Sequence, residues 1–237
     1  MLVKMFKDKN MPEQKPQKNI FASNVMSLYL PNDFQSFRDS DFIESLINDF
    51  SIRVVVVHGD WHSCEFDHSI IKRLSEIPIP VVAFIEGYCR DESLELCLAA
   101  DIRIASADAS FQLGYVNQGR MPKNGATQRL ARIVGRGQAM RLLLSGECID
   151  VSESIRVGLV ESIGTWEDVS ALVESICKAA PIAARYAKES VNYSQELSFV
   201  QSHRLENDLS ILLQSTEDRE KGLRSYFNKE TPDFQSE

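Results

Sequence analysis

A glutamate stands in this chain where an apolar helix should bury it. Glu95 lies between Leu94 and Leu96 and is followed by Cys97, Leu98, Ala99 and Ala100. Taking an unpaired carboxylate out of water is costly and usually raises its pKa, so such a group is either paired or at work. The work open to it is proton transfer, as a general acid or base. Asp91 and Glu92 add two more carboxylates just before it. If all three ionise, they oppose any anion formed beside them unless Arg90 or another cation compensates. Crowding and burial together push Glu95 toward its protonated form. A plainer reading competes. Asp91 suits a helix N-cap, acidic residues in a first turn stabilise a helix, and Glu95 could pair with Arg103 or Arg120.

The elements that must position these residues alternate in type. Val25 to Leu30 reads as a strand ended by Pro31, and Phe42 to Phe50 as an amphipathic helix. Arg53 to His58 is a continuous apolar run of the kind buried on both faces, and Ile70 to Glu76 is helical. Pro78 and Pro80 frame a strand at Val81 to Ile85. The pattern continues as helix over 91–100, strand over 101–105, and helices near 125–134 and 136–145 with Gly135 and Gly146 as stops. Asp150 or Ser152 caps a further short helix that Gly158 ends, and from Glu167 to about Phe227 the chain reads as helix. Alternating strands and helices followed by a helical third predict an α/β core with a helical trailer.

Composition narrows the classes. The 237 residues are 43% hydrophobic and 25% charged, ordinary values for a globular chain with a large core. A net charge of −8 without a long basic stripe argues against nucleic-acid binding. No apolar run approaches a membrane span, and residues 1–19 read as a solvated, flexible tail rather than a signal peptide. The five cysteines are odd in number and show no CxxC spacing, which points to a reducing, cytoplasmic setting.

The segment PVVAFIEGYC, followed by LELCLAADIRIASADASF, GRMPKNGATQRLARIVGRGQAMRLLLSG and IRVGLVESI, resembles the crotonase (enoyl-CoA hydratase/isomerase) superfamily in wording, order and spacing. The likeness covers roughly residues 50 to 165 well and extends faintly to KGLRSYFNKETPDF. It implies an α/β fold, a ββα spiral core over 20–165 with a helical C-terminal region over 166–237 that mediates oligomerisation, commonly as a homotrimer or hexamer. It also implies an acyl thioester as substrate, of coenzyme A or of a carrier protein, with no further cofactor. Two backbone amides polarise the thioester carbonyl in this family, and the resemblance puts them at Cys64 and Glu92. Glu95 matches one of the two glutamates that hydratases use, while Tyr115 takes the place of the other. Asp67, Gly87 and Gly114 fall at substrate-binding positions.

The chain departs from the family pattern at the chemistry itself. Asp91, Glu92 and Ser93 replace a glycine-rich turn, and Glu65 replaces a glycine. Only ten residues, His68 to Ile77, separate Asp67 from Pro78, where the family usually inserts some tens of residues that help bind coenzyme A. One glutamate instead of two leans from a two-carboxylate hydratase toward a one-acid isomerase, dehydratase or decarboxylase working through an enolate. The rival class is a non-catalytic crotonase-fold scaffold or partner subunit, with Tyr115 as a packed aromatic.

Other groupings are weaker. His58, His62, Cys64, Asp67 and His68 cluster in sequence but match no standard zinc spacing, and Cys64 beside His62 lacks the usual geometry of a thiol–base pair. Arg129, Arg132, Arg136 and Arg141 are helix-spaced and read as a solvated or oligomer-facing surface.

Overall fold

Two runs of branched apolar residues, VVVV and VVAFI, set the centre of the molecule. In a computed structural model describing residues 24–30, 40–62 and 68–235, they form β2 (Val54–Gly59) and β3 (Val81–Ile85). With β1 (Val25–Leu30), β5 (Ile102–Ala105) and β8 (Ser162–Ile163) they make a parallel sheet of order β1-β2-β3-β5-β8. Register runs Val55 to Val81 and Ala83 to Arg103 across its middle. Alternate residues serve different cores: Val55, Val57, Val81, Ala83 and Ile85 join one cluster, while Val54, Val56, Val82 and Phe84 join another. Burial on both faces is why these strands carry no apolar–polar alternation.

The first cluster is closed by α1 (Ser40–Asn48), α2 (His68–Glu76), α3 (Glu92–Cys97) and α4 (Ala126–Ser145). The second is covered by α6 (Trp166–Cys177), through Val169 and Val173. The ten residues after Asp67 are thus taken up almost wholly by one helix, α2. Gly135 has φ 77° and ψ 156° inside α4, so the two helices expected there are joined across a kink at the expected stop. Asp150 caps α5 (Val151–Val157) by accepting from the Glu153 amide, and Gly158 ends it in the left-handed region.

A second, small sheet was not evident in the sequence. β4 (Tyr88–Arg90) pairs in parallel with β6 (Ser110–Gln112), which pairs antiparallel with β7 (Cys148–Asp150). Three-residue strands are too short to show a period. They matter because β4 and β6 lead directly into the two halves of the site.

The C-terminal helices α7 (Pro181–Tyr193), α8 (Phe199–Leu213) and α9 (Glu217–Asn228) follow α6. Polar fasteners tie α7 to the core: buried Lys188 pairs with Asp101 at 2.6 Å and donates to the Ile79 carbonyl at 2.9 Å. Asp101 also accepts from the Val81 amide at 2.7 Å. Arg185 donates to the Ile47 carbonyl at 2.9 Å. Phe199, Tyr226 and Phe227 remain 84%, 79% and 77% exposed, so the far side of the trailer is an uncovered apolar surface.

Among the described residues, no helix is long and apolar enough to cross a membrane. The flexible tail expected over 1–19 lies outside the described residues.

Candidate active site

Glu95 is completely buried, one turn into α3, and its carboxylate oxygens have separate partners. Oε1 accepts from the Lys123 amide and Oε2 from the Asn124 side-chain amide, each at 2.6 Å. The Tyr115 hydroxyl is a third partner. Neither Arg103 nor Arg120 pairs with it, so the expected structural salt bridge is absent. Arg103 pairs with Glu161 instead, and Arg120 with Glu92 at 3.2 Å. Burial pushes the Glu95 carboxyl above the ordinary glutamate range, and the three donors oppose that rise. An acceptor with a donor on each oxygen is held in a defined orientation, and those donors favour its ionised form against the burial that opposes it.

Tyr115 is packed, as the plainer reading had it, and also joined to the site. It is buried at the start of a 3-10 turn (Tyr115–Gln118) that Gly114 leads into from β6. Burial, and then the negative charges of Glu95 and Glu92, push its phenol far above the ordinary value. It therefore stays protonated and donates to Glu95. The Arg120 guanidinium lies over its ring, 5.2 Å from the centroid.

The acidic turn resolves differently from a simple helix cap. Asp91 stands at the N-cap of α3, but its side chain makes no hydrogen bond to the helix amides. Its φ is +47° and its ψ −116°, a backbone conformation that favours glycine and costs about 1–3 kcal/mol for another residue. The turn thus keeps a glycine-type geometry although the glycine is gone. Asp91 is held there by its neighbours: its amide donates to the Gln112 carbonyl at 3.0 Å, its carboxylate accepts from the Gly114 amide at 2.8 Å, and Arg90 lies 3.5 Å away. Each of the three crowded carboxylates accordingly has its own partners: Asp91 with Arg90 and Gly114, Glu92 with Arg120, Glu95 with three uncharged donors. The Ser93 hydroxyl is buried without a hydrogen-bond partner.

Gly87 turns from β3 into β4 at φ 66°, and a side chain there would meet nothing within 4 Å. Gly114 welds β6 to the acidic turn through its amide. Cys64 and Asp67 lie outside the described residues; the residues before that stretch touch β3 and β4, and α2 after it reaches Arg129. His62 lies with its ring 5.5 Å from that of Tyr88 in β4, Trp61 donates to the Phe84 carbonyl at 2.8 Å, and Ser75 of α2 accepts from Arg129 at 2.9 Å. Among the described residues no group of three or more His, Cys, Asp and Glu is placed to hold a metal.

Sequence reasoning missed Lys123 and Asn124. A backbone N–H has no residue signature, and Asn124 is 29 positions from Glu95. The GRMPKNG stretch read only as a turn before a helix, with Asn124 at φ 57° and Gly125 at φ 77° forming it. Arg129, read as a surface cation, is instead half-buried behind that turn.

A parallel sheet flanked by helices, with a buried glutamate at the start of a short helix beside a strained turn, defines an α/β protein in which one carboxylate is held by uncharged donors alone. The family model described as enoyl-CoA hydratase/isomerase matches residues 44–237, and the chain belongs to that family. A 2,3-dehydroadipyl-CoA hydratase of Escherichia coli is 35% identical over 166 residues. The match covers 68% of this chain and 65% of that relative, so the chain spans just under two thirds of its length. A probable enoyl-CoA hydratase of Rhizobium meliloti is 30% identical, with 91% of this chain and 79% of the relative covered. The crystal structure of an enoyl-CoA hydratase from Bacillus anthracis superposes with a TM-score of 0.79 at 24% identity, covering 90% of this chain and 96% of that one, which establishes the crotonase fold.

Proposed function

We propose that the protein is an enzyme acting on an acyl thioester through an enolate, with Glu95 as its single proton-transferring carboxylate. The observation that carries this reading is the turn at Asp91. It holds a costly backbone conformation and turns its carboxylate toward Gly114, leaving the first amides of α3 uncapped by that side chain. Strain of this kind persists where the surroundings enforce it, and it clusters at active sites.

In the proposed mechanism the thioester carbonyl oxygen accepts from the Glu92 amide and from the amide of Cys64. As a proton leaves the adjacent carbon for the Glu95 carboxylate, negative charge moves onto that oxygen. Preorganised amides stabilise it there more than in the ground state. Tyr115 keeps its proton and orients Glu95. With one carboxylate, the same group returns the proton to a different carbon in an isomerisation, or hands it to the departing β-hydroxyl, which leaves as water, in a dehydration. In a decarboxylation the enolate forms by loss of CO2, and protonated Glu95 gives its proton to that carbon. A two-carboxylate hydration has no second acid at position 115. Both curated relatives bear the names of CoA-ester hydratases, which supports an acyl-CoA substrate. Asp67, Gly87 and Gly114 are assigned to substrate contacts.

The exposed apolar side of α8 and α9 is assigned to contact between copies of the chain, in a homotrimer or hexamer, and the protein is assigned to the cytoplasm. The test is a panel of enoyl-, hydroxyacyl- and carboxyacyl-CoA esters, with the matching carrier-protein thioesters, and products identified by mass and NMR. Turnover of one class is expected. No turnover of any, with no binding of a thioester, would favour a scaffold instead.

A further inference from the structure

The Glu95 carboxylate takes two of its donors from a single turn, Lys123–Asn124. Asn124 at φ 57° and Gly125 at φ 77° are consecutive left-handed residues, and an Asn-Gly pair adopts that shape readily. Backbone preference sets the shape of the turn, but its position, with the Lys123 N–H and the Asn124 side chain facing Glu95 together, is fixed by contacts from outside it.

Arg129, one turn into α4, is placed to do so. One arm of its guanidinium donates to the Asn124 backbone carbonyl, and the other donates to Ser75 Oγ of α2 at 2.9 Å. Ser75 in turn donates to the Lys72 carbonyl at 2.7 Å. The guanidinium also packs on the turn, since a Cβ on Gly125 would lie 3.5 Å from Arg129 Nη1. Its neighbour on the same helix differs: Arg141 spends its charge on Glu147 and Glu153 at the surface. Two acceptors 49 positions apart in sequence, one on the turn before α4 and one on α2, suit a planar fork whose N–H groups sit on two separate nitrogens, which a lysine lacks.

We propose that Arg129 is a positioning residue for proton transfer, clamping the Lys123–Asn124 turn so that it presents its donors to Glu95. The clamp ties α2, which directly follows the 63–67 stretch, to the turn behind the acid–base group. The charges near the Arg129 guanidinium are Glu95 and Glu76, which favour its cationic form, and Arg132, which opposes it; burial opposes it most. Without the clamp the Asn124 carbonyl loses its donor, the turn relaxes, and Glu95 loses orientation and the donors that stabilise its anion.

This inference rests on Glu95 being the acid–base group, so its test includes a readout that needs no turnover. Full-length protein with carboxyl-13C glutamate is titrated by NMR, with the Glu95 signal assigned by its loss in Glu95→Gln. Arg129→Met is expected to raise the Glu95 titration midpoint by about one pH unit. Where turnover has been found, it lowers kcat roughly 10- to 100-fold with KM little changed. Arg129→Lys keeps the charge but not the fork, and is expected to recover part of the midpoint shift but little of kcat. An unchanged Glu95 midpoint in Arg129→Met overturns the proposal, whatever the turnover. If that variant does not fold, an unchanged midpoint in Arg129→Gln overturns it in the same way. A shifted midpoint in a protein without thioester turnover would sink the enzyme reading and leave the clamp standing.

Discussion

Glu95 and Glu153 are the same residue type, each held by several donors, and they are pushed in opposite directions. Glu153 lies at the surface between Arg141 and Arg156, and its two guanidinium partners lower its carboxyl to about 2. Glu95 is buried among uncharged donors, and burial raises its carboxyl despite them. The number of partners is similar; their charge and the surrounding dielectric differ. A carboxylate locked to two arginines is a fastener, since it does not change state near neutral pH. A buried carboxylate held only by neutral donors keeps its orientation and can still exchange a proton. The acidic turn obeys the same division, because Arg90 and Arg120 take Asp91 and Glu92 and leave Glu95 without a cation in contact.

The largest effect should come from removing the oxygen proposed to take the proton. Glu95→Gln is expected to lower kcat roughly 100- to 10,000-fold with substrate binding retained, checked by steady-state kinetics and calorimetry. Because burial raises the Glu95 pKa, its anion is lost as pH falls through a midpoint above the ordinary glutamate range. The acid limb of kcat/KM should report that raised midpoint. A limb at the ordinary value would break the contrast with Glu153.

Burial as the controlling variable can be tested away from the site. His58 is buried in β2, bonded to Ser27 Oγ at 2.6 Å and set edge-on to Tyr29 and Trp166. Desolvation lowers its pKa from 6.5 to about 4. Between those values the unfolded chain binds a proton that the folded chain refuses, so stability is full above the upper value and declines as pH falls. The loss should approach about 3 kcal/mol near pH 4, seen in denaturant midpoints, and should vanish in His58→Gln.

Smaller effects follow for the tyrosine and the surface glutamate. Tyr115→Phe should lower kcat about 10-fold and raise the acid-limb midpoint, because Glu95 loses a donor to its anion. Glu153→Gln should leave kcat within about 2-fold and change stability little, since exposed ion pairs contribute little. A large loss of activity there would erase the distinction between fastener and working group.

Much of this arrangement could be read from the sequence. The runs that became β2 and β3, the stops at Gly146 and Gly158, and Glu95 itself declare themselves through hydrophobicity, glycine placement and one charge out of pattern. The rest depends on groups without a sequence signature. Lys123 contributes a backbone N–H, Asp91 contributes a torsion angle, and β4, β6 and β7 are too short for a period. Asp91 also shows how residue type misleads: an aspartate before a helix suggests a cap, yet tertiary contacts with Gly114 and Arg90 turn it elsewhere. Arg129 shares its helical spacing with solvated arginines, and only the fold reveals its acceptors.

The central claim is that Glu95 moves a proton at the carbon beside a thioester carbonyl, independently of the overall reaction catalysed. The most direct measurement is exchange of that carbon's hydrogens with solvent deuterium, followed by NMR on a saturated acyl-CoA or acyl-carrier-protein thioester. Wild-type protein should incorporate deuterium at the carbon next to the carbonyl and nowhere else, and Glu95→Gln should reduce the rate to background. Exchange that persists in Glu95→Gln, or a thioester that binds without any exchange in the wild type, would contradict it.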